Sequence, residues 1–264
     1  MGNSCIKSNN KITFDSDNIN NPIIDWKSKN KTEKYHWWPM MEQKEYDIVN
    51  NLYAIGGGLD KYDFLFSKNS VVYQKKKYYR SPESQMTDSN WAGFCNNASI
   101  LSCLYKYPKN PVSVSYNNKE VVFNQRDIES LMIVCSENAI QSNLSLFFGK
   151  RNNGIFGDDK NEPYPTKFLS MLKVVCTLDE PFIMDIDNDL AVWNYPYDKV
   201  IVTKHNNCDI PHKKATIGKT TYYNFKLFSS AYPEQNLDLW GFVNKTKKTD
   251  KKNITNTKYR IFEK

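Results

Sequence analysis

A chain of 264 residues is long enough for one large domain or two small ones, and its 40% hydrophobic and 14% aromatic content excludes a disordered polymer. The net charge of +7 gathers in the C-terminal stretch 244–264, where lysines are opposed only by Asp250 and Glu263, so a basic nucleic-acid footprint over the whole protein is excluded. The 6 cysteines form no CxxC pair, which argues against a zinc site, and no apolar run reaches the roughly 18 residues of a membrane-spanning helix.

Residues 1–45 are polar, Asn/Lys-rich and aperiodic, and read as an extended arm pinned to the body by Trp26 and the block His36-Trp37-Trp38-Pro39. The N-terminus lacks the hydrophobic region of a secretory signal, and cysteines in apolar runs suit a reducing, cytoplasmic setting. Myristoylation of Gly2 with palmitoylation of Cys5 would supply the two signals of stable anchoring, although Ile6 replaces the preferred hydroxyl residue. That route, or the basic tail, is the expected membrane contact. Residues 43–55 predict a short helix closed by Gly56-Gly57-Gly58, and 69–80 has strand character through Val71, Val72 and Tyr73. Lys75-Lys76-Lys77, set among tyrosines, reads as a charged edge.

A polar loop from Ser81 to Asp88 leads into Asn90-Trp91-Ala92-Gly93-Phe94-Cys95, and Asn96–Leu104 predicts a buried helix. Residues 111–123 alternate around Asn117-Asn118 and predict a hairpin. A second helix is expected from Gln125 to about Ala139, its apolar face marked by Ile128, Leu131, Met132 and Cys135. After a Gly/Asn-rich loop from Gly149 to Pro165, a third helix is expected over 168–175. Strands follow at 182–188, from Leu190, and at 198–206, 221–229 and 237–243. The fold class is α+β, with the cysteine-bearing helix packed on a mostly antiparallel sheet. The organisation expected is an arm (1–45), a domain (46–243) and a basic tail (244–264).

Cys95 carries the chemistry. Placed at the first turn of a helix, its sulfur meets unpaired backbone N–H groups and the positive end of the helix dipole, which stabilise a thiolate. Gly93 permits close backbone approach, and Ala98 and Ser99 are small enough for tight packing. The side-chain amide of Asn90 and backbone N–H groups near Cys95 are candidates for an oxyanion hole. A buried structural cysteine on a core helix is the alternative that position alone leaves open.

The segment Trp91-x-Gly93-x-Cys95-Asn96, followed by a small-residue helix, resembles the active-site segment of the transglutaminases found as elicitors in plant-pathogenic oomycetes, with bacterial relatives. Val192-Trp193-Asn194 followed by Pro196 resembles the VWNxP core of that family's elicitor peptide, and Asp185-x-Asp187 stands in the family-like upstream position. Weaker echoes in the same order are Leu59-Asp60-Lys61-Tyr62-Asp63, Asp127-Ile128 and Phe148-Gly149-x-Arg151-Asn152. The resemblance spans about residues 55–205 and implies a papain-like or transglutaminase-like cysteine enzyme without cofactor or metal. Its implied substrates are proteins or peptides bearing glutamine and lysine. The thiolate attacks a glutamine γ-carboxamide, ammonia leaves, and a lysine amine or water resolves the thioester.

Such chemistry needs a base beside the sulfur and a group orienting it. Only His36, His205 and His212 are available, and Phe94 and Leu169 stand where the family leads one to look for histidines. His205, at the end of the strand after Val192-Trp193-Asn194, is the candidate base, with Asp185 and Asp187, on one strand face, as candidate orienting carboxylates. His212 and His36 are weaker choices, His36 serving only if the arm crosses the site. Asp209 is a further candidate carboxylate. Trp91, Trp193, Asn90 and Asn194 are expected at the substrate. A papain-like peptidase or amidase, and a silent descendant that binds protein through the same cleft, remain alternatives.

Overall fold

The computed structural model describes residues 22–40, 51–78, 93–141, 165–185, 193–206, 220–244 and 254–256. They form a mixed α+β protein whose chain divides into two compact units. One comprises 1–31, 148–182 and 197–264, and the other 32–147 and 183–196.

The first unit is built on a five-stranded antiparallel sheet. Its strands are β1 (Pro22–Lys27), β6 (Lys199–Asn206), β7 (Thr220–Phe228), β8 (Leu237–Asn244) and β9 (Ile254–Asn256), hydrogen-bonded in the order β1-β6-β7-β8-β9. The alternation of Val200 and Val202, and of Phe225 and Leu227, puts these side chains on one face, where all four are fully buried. Helix α5 (Pro165–Leu178) belongs to this unit, and Phe168 stacks edge-on against Phe225, ring centroids 5.1 Å apart. Close approach of helix to sheet dictates Gly241: a β-carbon there would lie 2.8 Å from the Pro165 ring. Trp26 is buried against Phe182, which itself stacks near Tyr197. Both segments expected to lie outside the domain thus contribute strands, β1 from the arm and β9 from the basic tail. Trp26 does pin the former as its size and apolarity require.

The second unit is mostly helical. It holds α1 (Gly58–Phe66), α2 (Ser70–Tyr78), α3 (Cys95–Leu104), the hairpin β2 (Val112–Tyr116) and β3 (Lys119–Phe123), and α4 (Gln125–Gln141). Asn117 and Asn118 have φ of 46° and 62°, the left-handed pair that a two-residue hairpin turn of type I′ demands. A reciprocal cap opens α4: Asn124 N–H donates to Asp127 Oδ2 (2.8 Å) and Asp127 N–H to Asn124 Oδ1 (2.9 Å). Lys61 of α1 completes the junction, donating to the same Asp127 oxygen at 2.5 Å and to the Val122 carbonyl at 3.1 Å. Gly58 has no room for a side chain, since a β-carbon would collide with Ser130 and Asp127 of α4.

Two local expectations are corrected. Residues 70–78 are helical, not extended, because Asp63 caps the segment, accepting from Ser70 N–H (2.7 Å) and Val71 N–H (2.9 Å). Val72 and Tyr73 are exposed, so their strand preference meets no sheet, while Lys75, Lys76 and Lys77 sit in the last helical turn, where cations favour the dipole. The glycine triplet opens a helix rather than closing one: Gly57 is the N-cap of α1 and residues 51–57 form turns. Most of the helix expected over 43–55 lies outside the described residues.

The chain crosses between the units through β4 (Phe182–Asp185) and β5 (Asn194–Tyr197), which pair as a two-stranded sheet. Among the described residues no helix is long and apolar enough to cross a membrane.

Candidate functional site around Cys95

Cys95 is the first residue of α3, as its neighbours predict. Phe94, the N-cap, makes no side-chain cap bond, so the helix start offers its N–H groups to other acceptors. Within the unit α3 lies along α4, tied by Asn97, whose amide donates to the Ile133 carbonyl and to Ser136 Oγ, each at 3.1 Å. Phe94, Ala98 and Leu101 are buried with Tyr35, Trp38, Leu52, Tyr53, Leu59 and Ile133, which fixes the pitch at which α3 presents the sulfur.

Three amide donors face the sulfur. The Asn194 side chain lies 3.9 Å from Sγ, and the backbone N–H groups of Asn194 and Asn96 also act on it. Burial nevertheless dominates and pushes the Cys95 thiol up; the amides oppose this and the Asp185 charge adds to it. Asn194 is held from two sides. Ser99, one turn along α3 from Cys95, donates to the Asn194 carbonyl at 2.7 Å, and Asp185 accepts from Trp193 N–H at 2.9 Å.

The arm does cross this region. Phe94 N–H donates to the carbonyls of Trp37 (2.7 Å) and Trp38 (3.0 Å), and Pro39 bridges to Gly93. The Trp37 indole covers Gly93 so closely that a β-carbon there would strike it. On its other side Trp37 meets Trp193 edge-on, ring centroids 5.8 Å apart. Trp38 has a φ of 43°, an uncommon backbone for a bulky residue, with its side chain buried.

Of the residues predicted from sequence, Asp185, Trp193 and Asn194 therefore gather with Cys95. Asn90, Trp91, Asp187, Asp209 and His212 lie outside the described residues. His205 is on β6 in the sheet unit, its Nε2 2.9 Å from Thr203 Oγ1 and its ring 5.2 Å from that of Trp240. His36 is the histidine of the cysteine's own unit. Burial, and then the Arg126 charge, push its imidazole down to about 4, and its Nε2 is buried with no hydrogen-bond partner. Ser99 and Trp37 were not singled out as site residues by sequence reasoning. The i,i+4 spacing from Cys95 was the available signal for Ser99.

Cys95, Cys103, Cys135 and Cys176 are all thiols outside any disulfide. Among the described residues no cluster of three potential metal ligands occurs. Comparison with protein-family models, with curated proteins and with solved structures gave no match.

Proposed function

We propose that the chain is a transglutaminase-like acyltransferase, of papain-like or transglutaminase-like fold, that works through a Cys95 thioester. The observation that carries the proposal is the set of Asn194 and Asn96 amides around a sulfur at the head of α3. Such donors are suited to hold negative charge, whether on the thiolate or on the oxygen of a tetrahedral intermediate. The order of the Trp91-to-Asn96 and Val192-to-Pro196 segments supports the same reading. In it Cys95 sulfur bonds to the glutamine carbonyl carbon, the thiol proton passes to the departing nitrogen, and ammonia leaves. A lysine amine then displaces the sulfur to give an isopeptide bond, or water does so to give glutamate. Trp193, beside Trp37, offers an aromatic surface to a peptide substrate. The thiol chemistry is suited to a reducing compartment such as the cytoplasm, with membrane contact through Gly2 and Cys5 a further proposal.

A second reading, a protein-binding module that retains the cysteine, is favoured by one observation: burial pushes the thiol up rather than down. A glutamine-donor peptide and a labelled primary amine separate the two. The wild type is expected to incorporate amine and Cys95→Ala to incorporate none. His205→Asn tests the proton acceptor expected from sequence: lost transfer with Cys95 still open to alkylation assigns that role, and unchanged transfer removes it. A wild type that labels no substrate favours the binding module.

A further inference from the structure

Glu129 of α4 is fully buried, yet it is a carboxylate that the chemistry around Cys95 does not use. One of its oxygens accepts the backbone N–H of His36 in a short hydrogen bond. The other accepts from Arg126 at 3.1 Å and from the Tyr107 hydroxyl at 3.3 Å. Arg126 in turn lies over the Trp38 indole, 4.9 Å from the ring centroid. A buried carboxylate is costly to leave with fewer partners, so the His36 amide, Arg126 and Tyr107 are held to it firmly.

What it holds is the segment that touches the cysteine's backbone. From His36 the chain runs directly into Trp37 and Trp38, whose carbonyls both receive the Phe94 N–H, one residue before Cys95. Pro39 then bridges to Gly93, and Trp37 reaches Trp193, the neighbour of the Asn194 that faces the sulfur. These links form a closed circuit of Trp37 and Trp38, Phe94, Cys95, Asn194 and Trp193, and Glu129 is tied to it through His36. All of it lies in one compact unit. The left-handed Trp38 is the bend that lets two successive carbonyls converge on one N–H, and such a backbone persists only where surrounding contacts over-determine it.

We propose that Glu129 is a positioning residue for Cys95: by tethering His36 it seats the Trp37–Pro39 segment against Gly93 and Phe94, and so fixes the depth at which the sulfur is buried. The proposal rests on Cys95 being the reactive thiol, but not on what acyl group it takes.

Alkylation of Cys95 by iodoacetamide, followed by peptide mass spectrometry from about pH 6 to about pH 10, reads that depth directly. Glu129→Asp keeps a charge for Arg126 but shortens the reach to the His36 amide. It is expected to alkylate at least about threefold faster than wild type, with its pH midpoint moved down, because water reaches a sulfur whose midpoint burial had raised. Glu129→Gln keeps an acceptor for that amide and is expected to hold the wild-type midpoint. Cooperative urea unfolding followed by tryptophan fluorescence, to which Trp37, Trp38 and Trp193 of the same unit contribute, reports that each variant is folded. Equal midpoints in wild type, Glu129→Asp and Glu129→Gln, each unfolding cooperatively, overturn the proposal. Because alkylation needs no acyl substrate, a wild type without amine incorporation but with the shifted Glu129→Asp midpoint rejects the enzyme reading alone. Amine incorporation with unshifted midpoints rejects the positioning role alone.

Discussion

At the scale of single residues, His36 illustrates how burial sets chemistry. Its imidazole, pushed down to about 4 from an ordinary value near 6.5, stays neutral in the folded chain at pH values where the unfolded chain takes up a proton. The unfolded state then binds more protons, so this contribution to stability is fully present above about pH 6.5 and is lost as pH falls towards about 4. The urea midpoint is expected to fall across that window and to fall less steeply in His36→Gln; equal slopes in the two proteins would contradict this. Sequence reading located Cys95 at the start of its helix because the signal was local: small residues, a glycine, and an apolar run after a polar loop. Glu129 was invisible to it. A glutamate on a helix is ordinarily solvated, whereas this one is buried with His36 of the arm, Tyr107 and Arg126 as its partners.

The hairpin shows the same principle at the scale of elements. Alternation around Asn117-Asn118 predicted β2 and β3, and the turn angles match because asparagine tolerates the left-handed region that other side chains resist. Asn118→Gly removes the remaining steric cost and is expected to raise stability by a few tenths to about 1 kcal/mol, read as a higher urea midpoint at unchanged slope. An unchanged or lower midpoint would contradict the turn assignment. Where element type was misjudged, the cause was a partner distant in the reading frame. Val71, Val72 and Tyr73 carry strand propensity, but the hydrogen bonds that Ser70 N–H and Val71 N–H donate to Asp63 on the preceding helix decide the segment. Likewise α1 escaped notice because its start is marked by glycines, which in most contexts end helices, while here Gly58 is required by the approach of α4.

For the whole molecule, α+β character was legible in the order of helical and alternating segments, whereas the division into units was not. At β4 and β5 the chain leaves one unit and returns to it, and the short stretch 183–196 brings Asp185, Trp193 and Asn194 to a cysteine about a hundred residues earlier. The proposed chemistry rests on these residues lying beside Cys95, and a Cys95 thioester is its most direct expectation. The wild-type protein, mixed with a glutamine-donor peptide and quenched in acid, should yield a Cys95 peptide heavier by the donor less ammonia. Cys95→Ala should yield no such adduct. A wild-type protein that releases no ammonia and leaves Cys95 unmodified, by the donor and by an electrophilic amide probe alike, would contradict the account.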